Sequence, residues 1–332
     1  MKNCPGCFNE GHSTYCPPCR KRLFGGKKVS HVLPFSRPAY EEARLEATGD
    51  RLSISGVQTK MPLVLRARRL EMATKGGQYI LKPIPHGAFQ RLQTVPVNEN
   101  LTMQIARQVF GIRVAENALV EFEDGELAYL VRRFDVWEDG SRHLQEDFAQ
   151  IAGRSEQSHG KNYKYDLSYE EIGELIRKHV AAYQVEMEKF LRLIVFNYLV
   201  HNGDAHLKNF SLIRNEEGGD YTLTPAYDLL NTRLHVPNES RSALSFFKGD
   251  FETESYRING FYAYDDFREL ANRLGLHPGR FQRFMRTAAG KEPEIFSLID
   301  RSVLDEQCKQ LYKDHVSDSI RALSYSYAKA SR

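Results

Sequence analysis

Residues 196–210, "FNYLVHNGDAHLKNF", carry an uncharged apolar run into a loop that holds a carboxylate. The segment from Glu186 to His201 reads as a helix that becomes apolar on nearly every face toward its end, the pattern of a helix in the middle of a helical lobe. Such a helix is a rigid mount for the loop beyond it. Asp204, four further residues and Asn209 give D-x-x-x-x-N, the spacing of a phosphotransferase loop in which the Asp accepts a hydroxyl proton and the Asn holds magnesium. The next stretch, "NFSLIRNEEGGDYTLTPAYD", reads as a short hairpin turning at Gly218-Gly219. It delivers Asp228, a second hard oxygen ligand suited to magnesium beside nucleotide phosphates.

Upstream, "GGQYILKPIP" is a short strand ended by prolines and carrying Lys82, the residue type that neutralises nucleotide phosphates. "VNENLTMQIARQVFG" follows as a helix with Leu101, Ile105 and Val109 on one face, Gly111 at its end and Glu99 placed to pair with Lys82. "ALVEFEDGELAYLVRRFD" alternates around Asp124-Gly125, a hairpin signal, and ends where the backbone of Arg132, Arg133 and Phe134 can meet an adenine. "RLSISGVQTKMPLVLRARRLEM" reads as two short strands joined at Ser55 to Gln58. It holds a single Gly56 where many kinases carry a glycine-rich loop. Each feature alone occurs by chance, but their order along the chain matches that of a kinase. The second half is helical: "SYEEIGELIRKHVAA" opens with a capping box from Ser168 to Glu171, and residues 264–329 are mostly amphipathic helix patterns.

The chain has 332 residues with 41% hydrophobic content, enough for a substantial core. No window has the length of uncharged apolar sequence that a membrane span needs, and "MKNCPGCFNE" lacks a signal peptide's apolar segment, so a cytoplasmic location is expected. Residues 1–69 hold 13 Lys/Arg against 5 Asp/Glu. That end either faces something acidic or is a solvated start. Cys4, Cys7, Cys16 and Cys19 form two C-x-x-C pairs among the turn formers Pro5, Gly6, Pro17 and Pro18, a spacing that suits structural zinc in a small knuckle. His12 is an alternative ligand, and two disulfides or four free thiols are the competing readings. Cys308 reads as a packing residue.

The tracts "RLSISGVQTK", "YILKP", "NEN", "VRRFD", "LQEDFAQ", "NGDAHLKNFSLI" and "LTPAYDLLNT" together resemble the HipA-like serine/threonine kinases of bacterial toxin–antitoxin systems, in the short, HipT-like form. The resemblance runs over residues 51–328. It implies an α+β, bilobal protein-kinase-like fold with a strand-rich N-lobe at residues 27–134 and a helical C-lobe at 135–332, preceded by the zinc-knuckle-like module at 1–26. It implies that Ser55, Gly56, Val57, Gln58, Thr59 and Lys60 form the phosphate loop, that Lys82 contacts ATP and that Arg132 to Phe134 line the adenine side. Asp204 is then the catalytic base, and His206, Leu207, Lys208, Asn209, Tyr227 and Asp228 complete the ATP and magnesium site. Ser53 or Ser55 is the implied autophosphorylation site.

Full-length relatives carry a further β-rich N-terminal subdomain of roughly a hundred residues, which does not fit into the stretch ahead of Ser53. The resemblance therefore implies a separately encoded small partner protein beside an antitoxin. It also implies a protein substrate such as an aminoacyl-tRNA synthetase, with growth arrest as the outcome, and no membrane partner. The basic first 69 residues leave a direct contact with tRNA open. Two rivals stand beside this reading: a small-molecule kinase of the aminoglycoside or choline type, which shares the G-D-x-x-x-x-N loop, and a zinc-dependent nucleic-acid-binding protein on an inactive kinase scaffold.

Overall fold

The computed structural model describes residues 2–48, 60–73, 76–137, 140–214 and 219–330. Among them, β1 (Met61–Arg66), β2 (Arg69–Met72), β3 (Tyr79–Lys82), β4 (Asn117–Glu121) and β5 (Leu127–Arg132) form one antiparallel sheet in the order β2-β1-β3-β5-β4. The turn between β4 and β5 falls at Asp124-Gly125 as expected: Gly125 has φ +90°, and its N–H donates to the Phe122 carbonyl at 2.9 Å. The loop expected at Ser55 to Gln58 lies outside the described residues. The described hairpin is β1–β2, joined at Ala67 and Arg68 with Arg66 opposite Arg69. Both connecting residues hold positive φ, 43° and 70°, without the Asn-Gly or Asp-Gly that would have marked this turn in the sequence.

The sheet is buried on both faces, and its strands divide their side chains with period two. Leu119, Tyr129 and Val131 join a large cluster with Leu101 and Ile105 of α1 (Val95–Gln108). Ala118, Val120, Ala128 and Leu130 point the other way, into a second cluster with Tyr15, Leu23, Phe24 and Tyr40 from the N-terminal segment. That segment also pairs with the outer edge of β4. Leu119 N–H donates to Pro5 O at 2.9 Å, Glu121 N–H to His31 O at 2.8 Å, and Leu33 N–H to Glu121 O at 2.8 Å. An edge strand left open would template association with other chains, so this cover is also protective.

The remainder is mainly helical. Ser168 caps α2 (Tyr169–His179): Glu171 N–H donates to Ser168 Oγ at 3.2 Å, and Ser168 N–H donates to Glu171 Oε2 at 2.9 Å, the box read from the sequence. The following helix, α3 (Tyr183–Leu199), buries Phe190, Leu191, Ile194, Val195, Phe196, Tyr198 and Leu199. It mounts the loop at 201–210. A small antiparallel sheet, β6 (Gln145–Asp147), β7 (Ser211–Arg214) and β8 (Tyr221–Leu223), continues from that loop and leads to Asp228. Among the described residues no helix is long and apolar enough to cross a membrane.

Positive φ at a residue with a Cβ is costly, so placing Asn and Gly at positions 67 and 68 should stabilise the fold by about 1 kcal/mol. Chemical denaturation of the Ala67→Asn/Arg68→Gly variant measures it; a lower midpoint would contradict the strain at this turn.

Candidate active site

Lys82, at the end of β3, joins three parts of the chain. Its Nζ donates to Glu99 Oε1 on α1 at 2.7 Å and also to Asp228 Oδ1 beyond β8. Glu99 is 2% exposed. Burial disfavours the Lys82 ammonium, yet Asp228 and Glu99 outweigh it and raise its pKa above the usual value. Burial pushes the Glu99 carboxyl up to about 7 against the pull of Lys82. Asp228 goes the other way: Lys82 overcomes its burial and holds it below the usual carboxylate range.

Asp228 has φ +53°, a strained value for a residue with a side chain. Its neighbours hold it there. Tyr227 donates its hydroxyl to Lys208 O at 2.8 Å and also meets Ser211 Oγ. Three residues on, Asn98 of α1 grips the backbone of Asn231 with both ends of its amide: Nδ2 donates to Asn231 O at 2.9 Å, and Asn231 N–H donates to Oδ1 at 3.0 Å. The helix bearing Glu99 and the segment bearing Asp228 are thus tied by two buried hydrogen bonds beside the Lys82 bridge.

The loop after α3 is tied to the same segment. Gly203 N–H donates to Thr232 Oγ1 at 2.8 Å, and a Cβ at Gly203 would lie 2.2 Å from Ser240 O, so only glycine fits. Asn202 Nδ2 reaches Asp228 O at 3.4 Å. Asp204 is left half exposed, accepting from Tyr165 Oη at 2.5 Å, with Lys164 Nζ at 3.7 Å and His206 Nε2 at 3.8 Å. Asn209 closes the loop, its Oδ1 accepting from His206 N–H at 3.1 Å.

The HipA-like C-terminal domain family matches residues 52–295. The chain belongs to this family. A provisionally named kinase of Haemophilus influenzae is 28% identical over 291 residues, 81% of this chain and 80% of that protein. The serine/threonine-protein kinase toxin HipA of Shewanella oneidensis is 26% identical over 234 residues, 64% of this chain but 49% of its own length. The chain therefore spans about half of that relative. Among solved structures, a chain of the Shewanella oneidensis complex of HipA, HipB and operator DNA aligns with a TM-score of 0.63 at 22% identity, over 91% of this chain and 73% of that one. The Helicobacter pylori proinflammatory kinase CtkA aligns at 0.51 and 16% identity, over 79% of this chain and 90% of that one. These likenesses establish a kinase-like fold.

Other expected residues of the HipA-like site lie as follows. Ser53, Ser55, Gly56, Val57, Gln58 and Thr59 fall outside the described residues. Lys60 is exposed, and its charge helps to hold Asp228 down. Leu207 is fully buried beneath the loop, and Lys208 turns to Asp147 Oδ2 at 3.4 Å, so neither side chain joins the Lys82 cluster. Arg132 donates through Nη1 to Arg22 O at 2.9 Å, and Arg133 pairs with Asp135 at 2.5 Å. Their backbone N–H groups are bonded to Glu116 O and Gln78 O. Phe134 packs on Tyr227, ring centroids 5.7 Å apart. These three residues line a cavity of about 890 Å³ that none of Lys82, Glu99, Asp204, Asn209 or Asp228 reaches.

Asp228 Oδ2 and the second lone pair of Asn209 Oδ1 remain as hard oxygen donors, which fits magnesium. The four N-terminal sulfurs lie within 4.8 Å of one another, buried and unlinked by disulfides, without His12. Cys7 and Cys16 Sγ are 3.6 Å apart. A tetrahedral zinc with sulfurs at ~2.3 Å separates them by about 3.8 Å, so the donor set fits that ion. Cys4 Sγ accepts from Cys16 N–H and Cys19 Sγ from Arg22 Nη2, each at 3.2 Å, as thiolate ligands do.

Replacing Lys82 strands a buried carboxylate. Lys82→Ala should cost on the order of 3–5 kcal/mol of unfolding free energy, and adding Glu99→Leu should recover part of it. Urea titration of both variants decides; equal stabilities for the two would show that Glu99 does not depend on Lys82.

Proposed function

We propose that the chain is a HipA-type serine/threonine protein kinase that transfers the ATP γ-phosphoryl group to a protein hydroxyl. The observation that carries this reading is the Lys82 ammonium held between Glu99 and Asp228, with Asp204 presented on a loop tied to the same segment. Asp204 orients the acceptor hydroxyl and takes its proton. The acceptor oxygen bonds to phosphorus while the bond to the β–γ bridging oxygen breaks, and ADP leaves with that electron pair. Lys82 neutralises nucleotide phosphates, and Glu99 keeps it aimed. Magnesium, when bound by Asn209 and Asp228, spreads the charge of the phosphates. Lys60 and His206 face Asp228 electrostatically and belong to the phosphate side. Arg132 to Phe134 take the adenine side, where the Phe134–Tyr227 contact supports them.

The same reading extends to regulation and partners. A phosphate on Ser53 or Ser55 would repel the ATP phosphates that the loop from Ser55 to Lys60 must approach, a route to self-inactivation. Residues 1–26 form a structural zinc module, 27–134 the nucleotide lobe and 135–332 the helical lobe. The solved complex that joins HipA to HipB supports an antitoxin partner. A separately encoded small protein, a cytoplasmic setting and an aminoacyl-tRNA synthetase substrate complete the proposal.

Intact-mass spectrometry after incubation with ATP and magnesium should show added phosphate on the wild-type chain and none on Asp204→Ala, and peptide mapping should find it on Ser53 or Ser55. Equal phosphate on both proteins would remove Asp204 from the chemistry. Asp228→Ala should lose the ATP-dependent rise in melting temperature as well. Metal analysis should find one zinc per chain, reduced in Cys16→Ser; a metal-free wild type of unchanged stability would rule out the zinc module.

A further inference from the structure

The turn Tyr163–Tyr165 belongs to none of the motifs that mark the site in the sequence, yet all three of its side chains face the loop at 204–209. Tyr165 donates to Asp204 Oδ1 at 2.5 Å and stands edge-on to His206, centroids 5.3 Å apart. Lys164 Nζ lies 3.7 Å from the same Asp204 oxygen and 4.9 Å from the Tyr165 ring centroid. Tyr163 lies under the Lys208 ammonium at 6.0 Å.

A phosphoryl-transfer site needs fixed positive charge beside the group in flight. The 204–209 loop supplies little. The His206 ring is buried and stands edge-on to Tyr165. Lys208 is engaged by Asp147 and Tyr163. Lys82 is held between two carboxylates. Lys164 differs from these in its partner: the carboxylate it meets, at 3.7 Å, is that of Asp204 itself.

We propose that Lys164 and Tyr165 complete the phosphoryl-transfer site from a separate element, Tyr165 holding the Asp204 carboxylate in position and Lys164 contacting the transferring phosphoryl group. The inference rests on the kinase reading above. An acceptor hydroxyl bonded to Asp204 brings the phosphorus within the reach of a side chain already 3.7 Å from that carboxylate. Lys164 makes and breaks no covalent bond; it stabilises oxygens whose charge changes while the proton passes to Asp204. Tyr165 acts through Asp204 and is a positioning residue.

The test uses the full chain with magnesium and ADP, alone or with aluminium fluoride, a mimic of the phosphoryl group in flight. Isothermal titration should show tighter binding with the fluoride in the wild type. Lys164→Ala should keep its ADP affinity and lose on the order of tenfold of that gain, while Lys164→Arg restores part of it. For Tyr165→Phe, the single-turnover rate of phosphate incorporation should fall with fluorescent ATP-analogue affinity and melting temperature unchanged. A wild type that binds no magnesium nucleotide sinks the kinase reading and this inference together. Nucleotide binding with no gain from fluoride, or with a gain indifferent to Lys164, sinks the inference alone. A Tyr165→Phe protein with wild-type incorporation removes Tyr165 from it.

Discussion

The Lys82 ammonium is the interaction on which the rest of the arrangement depends. It is the point where the five-stranded sheet, the helix carrying Glu99 and the segment carrying Asp228 share one charge. Two carboxylates around one ammonium leave the cluster short of positive charge. Burial separates the acids: it pushes Glu99, deep in the core, toward its neutral form, while Lys82 overcomes it at Asp228, which stays ionised and open on one side. A buried ion pair is weak evidence for stability but strong evidence for geometry, because moving any of the three partners strands a charge. The cluster therefore sets the relative positions of elements far apart in the chain, and its electrostatic deficit suits a cation or a cation-bearing nucleotide.

Neutral hydrogen bonds support what the charges define. The Asn98 amide holds the Asn231 backbone in two directions, and Thr232 in turn accepts from Gly203 at the start of the Asp204 loop. The strained Asp228 backbone is thereby bracketed by the ties at Tyr227 and Asn231. On the far side of the sheet, the cysteine-bearing segment does more than cap a hydrophobic face. Arg132, at the end of β5, donates to Arg22 O, and Tyr79 of β3 donates to Leu23 O at 2.7 Å. Folding of the four-thiol cluster is thus coupled to the two strands that carry Lys82 and the Arg132–Phe134 stretch.

Much of this was legible in local pattern. The capping box at Ser168, the apolar helix before His201, the hairpin at Asp124-Gly125 and the paired C-x-x-C units each rest on a short-range rule of spacing or turn chemistry. The β1–β2 connection was not legible, because Ala67 and Arg68 adopt positive φ without the residues that usually allow it. Asn98 was visible inside "NEN" only as a neighbour of Glu99, since nothing local indicates that its amide meets a backbone 133 residues away. Tyr165 and Lys164 carry no spacing relation to Asp204 at all.

What the sequence by itself determined is the succession of a strand-rich stretch and a helical one, the membership of the HipA-like family and the identity of the acids, the lysine and the thiols available for chemistry. These depend on periodicity, on turn residues and on motifs contained within a few residues. Only the tertiary structure decided which of those groups share a charge, that the N-terminal segment seals the edge of β4, and that a turn at 163–165 stands over Asp204. Such contacts are set by packing between segments far apart in the chain, where side-chain reach and burial, rather than sequence spacing, determine which groups meet.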